Sequence, residues 1–83
     1  MEYQIVRSTA GRDRGELFLV VGRQGDRFLL ADGRRRKRSR PKQKSARHFE
    51  SVARVQTDPV MGDQISDKEI YRLLAACRRA QNA

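Results

Sequence analysis

The apolar residues in the first part of the chain fall into short runs that are separated by glycine-containing turns. Residues 17–21 form an uninterrupted run, Leu-Phe-Leu-Val-Val, with Gly15 and Gly22 on either side. A short run of branched and aromatic residues between glycines is typical of a strand that is buried on both faces. Residues 3–8 and 27–31 have similar lengths and turn-rich flanks, and we predict strands there as well.

A hairpin is predicted at Asp32-Gly33, because both positions of a tight two-residue turn favour positive φ. Residues 34–38 would then run antiparallel to the preceding strand. By Pro41 this strand would end or lie on an edge of the sheet, since proline has no backbone donor for the ladder.

Two further short strands are predicted at residues 47–49 and 52–55, where they would close the sheet. Four or five short antiparallel strands at this spacing predict a mainly β fold, either a small barrel or a rolled sheet. We assign this β part to residues 1–56.

The C-terminal part of the chain has the pattern of an amphipathic helix. Ser66 and Glu69 have the spacing of a capping box, in which the two residues satisfy each other's backbone donors. A stripe of apolar residues with helical spacing follows, formed by Ile70, Leu73, Leu74 and Cys77. We therefore predict a helix over residues 67–80, within a C-terminal segment of residues 66–83 that follows a turn-rich linker at 57–65.

Charge is distributed unevenly along the chain. The 83 residues carry a formal net charge of +9. Nine basic residues and no acidic residue lie between Gly33 and Phe49, so the remainder of the chain has no net charge. A neutral domain with one concentrated positive segment is typical of a protein that binds a polyanion. The alternative for such a segment is a flexible charged loop without a specific partner.

The sequence offers no pattern for catalysis, for a metal or for a cofactor. Cys77 and His48 are the only cysteine and histidine, which excludes the usual ligand sets of structural zinc. Because neither a Walker-type loop nor a nucleophile elbow is present, we expect a protein that is not an enzyme and takes no small-molecule substrate. No apolar run approaches the roughly 20 residues of a membrane span. The N-terminal residues also lack a secretory pattern, so we expect a cytoplasmic protein without a membrane partner.

Residues 6–15, Val-Arg-Ser-Thr-Ala-Gly-Arg-Asp-Arg-Gly, together with the apolar run that follows them, resemble a KOW motif. This motif consists of a strand, a glycine-anchored basic loop and a second strand. The order of loop, Asp-Gly turn, arginine run and Arg-His-Phe-Glu at residues 47–50 is most similar to the fourteen-e group of archaeal and eukaryotic large-subunit ribosomal proteins and their stand-alone bacterial relatives. Phe18 stands where many KOW motifs have glycine, which fits this group better than the elongation-factor pattern. The resemblance covers about residues 4–50.

The resemblance implies a small SH3-like barrel that binds RNA, in particular ribosomal RNA, and that associates with ribosomal proteins or translation factors. Gly11 and Gly15 permit a tight loop whose backbone N–H groups can approach phosphates closely. The arginine-rich segment at residues 34–47 is the second predicted contact region. The predicted RNA-binding side chains are Arg12, Arg14, Arg34, Arg35, Arg36, Lys37, Arg38, Arg40, Lys42, Lys44, Arg47 and His48.

A second interpretation is a protein-interaction module. The apolar stripe at residues 70–77 would then dock into the groove of a partner protein, with the basic segment as a secondary anchor. Binding of duplex DNA ranks third, because the basic segment has the pattern of strand and loop and not that of a recognition helix. The sequence favours contacts to the phosphates of structured RNA.

Overall fold

A computed structural model describes residues 1–57 and 64–82 of the chain. Within these residues the chain forms five strands, one short 3-10 helix and one α-helix. The elements are β1 (Glu2–Ser8), β2 (Leu17–Gln24), β3 (Arg27–Ala31), β4 (Lys42–Ser45), the 3-10 helix (Ala46–His48), β5 (Phe49–Gln56) and α1 (Asp67–Gln81). The prediction of a mainly β fold of short antiparallel strands with a C-terminal helix is confirmed.

The five strands form one open sheet that is rolled on itself. Its order is β4-β3-β2-β1-β5, and every neighbouring pair is antiparallel. In a flat sheet β4 would lie about 14 Å from β1, three strand spacings away. Instead Lys44 Nζ of β4 lies 2.8 Å from Ser8 Oγ of β1. Phe28 of β3 also meets Phe49 of β5 edge to face, with ring centroids 5.4 Å apart.

The two faces of the sheet bury two separate apolar clusters. On the inner face of the roll, Phe18 packs with Val6 and Leu30. On the outer face, Leu17 and Leu19 belong to a second cluster that also contains residues of α1. Successive residues of β2 therefore point into different cores, which is why this strand is an uninterrupted apolar run.

Helix α1 covers the outer face of the sheet. It begins as predicted at Ser66, whose Oγ accepts a hydrogen bond from the backbone N–H of Glu69 at 3.1 Å. Ile70 and Leu74 are 0% and 1% exposed and pack in the outer cluster. Burial of one such side chain contributes about 1.5–3 kcal/mol. The apolar stripe of the helix is thus used inside this domain.

Part of the predicted linker also belongs to the core. Ile65 is 6% exposed and packs in the outer cluster, while residues 58–63 of the linker lie outside the described residues. Leu73 and Cys77 are half-buried against the same cluster, in line with a packing role for the cysteine.

The strand predicted at residues 34–38 is wrong. Residues 32–41 form a loop, and β3 pairs with β4 instead. The cause is Asp32, whose Oδ1 accepts hydrogen bonds from the backbone N–H groups of Arg34 and Arg36, each at 2.9 Å. A side-chain acceptor that satisfies two successive donors favours a wider loop over a two-residue hairpin turn.

The separate closing strand predicted at residues 47–49 is also wrong. Ala46–His48 is a 3-10 helix, and β5 begins at Phe49. This turn carries the chain from one edge strand of the rolled sheet to the other. The strand predicted at residues 52–55 is confirmed as the centre of β5, which pairs with β1.

Candidate nucleic-acid interface

The loop between β1 and β2, residues 9–16, is folded around a buried carboxylate. Asp13 is 7% exposed, and its Oδ1 accepts a hydrogen bond from Ser8 Oγ at 2.6 Å. The backbone N–H of Gly15 donates to the Ser8 carbonyl at 2.8 Å, which closes the loop. Gly11 and Gly15 have φ values of 84° and 91°, a conformation that residues with a Cβ avoid.

Two lysines of β4 neutralise this carboxylate. Lys44 is 7% exposed and donates from Nζ to Asp13 Oδ1 at 2.7 Å. It also donates to Ser8 Oγ at 2.8 Å and to the Ala10 carbonyl at 2.9 Å, so all three of its donors are used. Lys42 Nζ donates to the other carboxylate oxygen of Asp13 at 2.5 Å. The structure thus places these two sequence-predicted RNA contacts against the β1–β2 loop, with Lys44 in the interior.

The pKa of Asp13 lies well below its ordinary value of 3.8. Burial of the carboxyl group raises this pKa, but hydrogen bonds from Lys42, Lys44 and Ser8 and the charge of Lys42 lower it by more. We call these four residues the Asp13 cluster. With one carboxylate and two ammonium groups the cluster has a net positive charge, and it ties β4 to the β1–β2 loop.

The arginine-rich loop, residues 32–40, is held against the N-terminal end of α1. The carboxylate of Asp67 accepts a hydrogen bond from the backbone N–H of Arg38 at 2.7 Å. Gly33, with φ of 84°, lies so close to the helix that a Cβ there would be 2.2 Å from the Asp67 carbonyl oxygen. The guanidinium of Arg38 is half-buried and donates to Gln64. These contacts fix the position of the loop against α1.

The side chains of the arginine-rich loop point to several neighbours. Arg35 lies 3.6 Å from a carboxylate oxygen of Glu16, at the end of the β1–β2 loop. The guanidinium of Arg34 lies 4.2 Å from the centroid of the Tyr71 ring on α1. Three more basic side chains of the loop are exposed and, among the described residues, form no ion pair: Arg36, Lys37 and Arg40.

The 3-10 helix brings a third basic segment to the β1–β2 loop. The His48 carbonyl accepts a hydrogen bond from the backbone N–H of Thr9 at 2.9 Å, so this helix adjoins the β1–β2 loop. Ser45 Oγ accepts from the backbone N–H of Arg47 and caps the turn. The side chains of Arg47 and His48 are both exposed.

The structure thus brings most of the sequence-predicted residues together around the β1–β2 loop. This loop itself carries Arg12 and Arg14, which are both exposed. The arginine-rich loop adjoins it through the Arg35–Glu16 pair, and the 3-10 helix through Thr9. We call the resulting set the basic surface: Arg12, Arg14, Arg34, Arg35, Arg36, Lys37, Arg40, Arg47 and His48.

Sequence reasoning missed the contribution of α1 to this region. Tyr71 and Arg78 line a groove of about 340 Å³ together with residues of the β1–β2 loop and the arginine-rich loop. The Tyr71 side chain is 37% exposed. The spacing of Tyr71 and Arg78, two helical turns apart on one face, was the available signal.

No protein-family model and no curated protein matches this chain. Within residues 1–57 and 64–82, no helix has both the length and the apolar character that a membrane crossing requires. The same residues contain no group of three or more potential metal ligands among His, Cys, Asp and Glu.

Proposed function

We propose that this protein binds structured RNA through the phosphates of its backbone and that it acts in association with ribosomes or translation. The observation that carries the proposal is that the arginine-rich loop and the 3-10 helix, two parts of one basic stretch of the sequence, both adjoin the basic β1–β2 loop, which lies well before them in the chain. Charge that serves only solubility does not need to be concentrated at one place, whereas a continuous positive surface binds a polyanion best.

The geometry of the basic surface suits phosphate contacts. Its side chains are mostly arginines, whose planar forked guanidinium groups bind phosphate oxygens in a bidentate manner. The arginine-rich loop is held by Asp32 and Asp67 through backbone N–H groups, and the exposed side chains of Arg36, Lys37 and Arg40 stay available for a ligand. A loop that is held by such hydrogen bonds loses less conformational entropy on binding than a flexible tail does.

Recognition of this kind positions the protein and carries little sequence information. Double-stranded RNA is recognised mostly by shape and by phosphate and 2′-hydroxyl contacts. The assignment to ribosomal RNA and translation rests on the resemblance of residues 4–50 to the fourteen-e group of ribosomal proteins.

The interpretation as a protein-interaction module receives no support from the position of α1. Ile70 and Leu74, which would have to enter a partner's groove, are buried in the outer cluster of this domain. A partner would therefore have to use another surface of the protein.

A matched pair of triple variants tests the RNA-binding surface. The first, Arg12→Gln/Arg36→Gln/Arg47→Gln, removes one exposed charge from each of the three segments. The second, Arg23→Gln/Arg54→Gln/Arg72→Gln, removes three exposed charges outside the basic surface. Both lower the net charge by three. Affinity for a fluorescently labelled RNA hairpin is measured by anisotropy at several salt concentrations.

The first variant should bind more weakly. The slope of its plot of log K against log salt concentration should be shallower by roughly 2 to 3, because each lost phosphate contact removes about 0.7–0.9. The second variant should keep the wild-type slope. Equal losses in the two variants would mean that only net charge matters, and the proposed surface would then be wrong. Absence of binding by the wild-type protein would overturn the proposed function itself.

A further inference from the structure

The groove between α1 and the two basic loops has the features of a binding site for a single nucleotide. It is lined by Glu16 from the β1–β2 loop, by Asp32, Arg34 and Arg35 from the arginine-rich loop, and by Tyr71 and Arg78 from α1. Its volume of about 340 Å³ is at the lower end of the range for small-ligand pockets, roughly 300–1,000 Å³. A nucleotide fits such a space, whereas an RNA duplex does not enter it.

The charges in the groove favour an anion. Asp32 already accepts two backbone hydrogen bonds within its own loop, and Glu16 pairs with Arg35 at 3.6 Å. Arg78 lines the same groove with an exposed side chain and, among the described residues, has no acidic partner. The lining therefore holds three arginines, Arg34, Arg35 and Arg78, against the two carboxylates, which leaves a net charge of +1.

The groove also contains a platform for stacking. The guanidinium of Arg34 lies 4.2 Å from the centroid of the Tyr71 ring, yet Tyr71 remains 37% exposed. Aromatic rings and arginine planes are the two kinds of side chain on which unpaired bases stack in RNA complexes.

We propose that this groove captures one unpaired nucleotide of the bound RNA, whose base adds to the Arg34–Tyr71 stack and whose phosphate is held by Arg78. The inference rests on the proposed function and adds selectivity to it. The basic surface binds any structured RNA, while the groove distinguishes an RNA with an unpaired nucleotide from a continuous duplex.

The test uses two labelled RNA hairpins whose stems are closed by the same non-nucleotide linker, one with a single bulged adenosine and one fully paired. Wild-type protein should bind the bulged hairpin more tightly. Tyr71→Leu should weaken binding to the bulged hairpin by about 5- to 150-fold, the range expected for loss of one base stack, and leave the paired hairpin unaffected. Tyr71→Phe retains the ring and should behave as wild type.

Arg78→Gln and Arg79→Gln provide a second test that does not depend on the stability of the Tyr71 variant. Both remove one exposed charge from the last turn of α1, but only Arg78 lines the groove. Arg78→Gln should therefore reduce the preference for the bulged hairpin, and Arg79→Gln should not.

Two outcomes separate this inference from the proposed function. If wild-type protein binds both hairpins and the Tyr71→Leu and Arg78→Gln variants keep its preference, the groove is not a nucleotide site, although RNA binding stands. If wild-type protein binds neither hairpin, the proposed function fails and the inference fails with it.

Discussion

Replacement of Asp13 by asparagine removes the charge that holds two lysines against the β1–β2 loop. Lys44 would stay buried with only Ser8 Oγ and the Ala10 carbonyl as strong partners. Removal of one partner of a buried ion pair costs about 3–5 kcal/mol. The side chain of Lys42 is 29% exposed and can be solvated by water instead, so the loss should lie at the lower end of this range. We therefore expect Asp13→Asn to lower the free energy of unfolding by about 3 kcal/mol.

A loss of this size is large for so small a domain. At about 0.05–0.15 kcal/mol per residue, the total stability of such a chain is roughly 4–12 kcal/mol. The melting temperature should fall by roughly 12–24 °C, at about 4–8 °C for each kcal/mol. Circular dichroism during thermal and urea unfolding measures both quantities.

The chain contains a matched control for this variant. Glu2 and Arg54 form an exposed pair with a separation of 4.0 Å and side chains that are 50% and 73% exposed. Glu2→Gln should change the stability by at most about 1 kcal/mol. The addition of Lys44→Met to Asp13→Asn should restore part of the lost stability, because it removes the unpaired buried charge. Equal effects of Asp13→Asn and Glu2→Gln would refute the reasoning.

The same carboxylate gives the stability a defined pH dependence. Because the folded protein holds the pKa of Asp13 below its ordinary value of 3.8, the contribution of Asp13 is fully present above that value. It is lost as the pH falls from there through the lower pKa of the folded state. Wild-type protein should therefore lose stability between about pH 4 and pH 2 more steeply than Asp13→Asn does. Parallel curves for the two proteins would contradict this account.

Four further substitutions, one of them a control, test the contacts that hold the arginine-rich loop and α1 in place. Gly33→Ala should destabilise the protein severely, because the new Cβ would lie 2.2 Å from the Asp67 carbonyl oxygen. The control is Gly25→Ala, which has φ of 63° and open space around it and should cost only about 1–2 kcal/mol. Leu74→Ala should cost about 2–5 kcal/mol if the helix packs in its own domain. Ser66→Ala should cost about 1 kcal/mol through loss of the helix cap. Urea unfolding checks all four variants, and a Leu74→Ala variant as stable as wild type would contradict the packing of α1.

The elements that could be predicted from the sequence are those whose signals are local. The strand at residues 27–31 and the start of the helix after Ser66 lie where apolar periodicity and capping placed them. The apolar run at residues 17–21 predicts a buried strand, and Leu17, Phe18 and Leu19 are indeed buried because successive side chains enter the two clusters. Such patterns can be recognised from residues that are close together in the sequence.

The strand β4 could not be found in this way, because its inward residue is a lysine. Lys44 is accepted in the interior through Asp13, which is 31 residues away in sequence, and no periodicity marks such a pair. Pro41, which we expect either to end a strand or to lie at a sheet edge, lies immediately before the edge strand β4, where a missing donor breaks no ladder hydrogen bond.

The residues of the candidate site also divide into those with a local sequence signal and those without one. Composition and charge pointed to the exposed arginines, and the structure gathers them at one loop. The part played by Tyr71 and Arg78 depends on how α1 lies on the sheet, which is a long-range property of the fold. For the same reason the sequence could not distinguish Lys42 and Lys44, which neutralise Asp13, from the exposed cations near them.

The most direct test of the central claim is sedimentation of the tagged protein from its own cells through a sucrose gradient. Wild-type protein and the Arg23→Gln/Arg54→Gln/Arg72→Gln variant should travel with the large ribosomal subunit at low salt. The Arg12→Gln/Arg36→Gln/Arg47→Gln variant should shift towards the top of the gradient, because it lacks one cation in each segment of the basic surface. Wild-type protein that stays at the top at low salt, or a basic-surface variant that still travels with the subunit, would contradict the account.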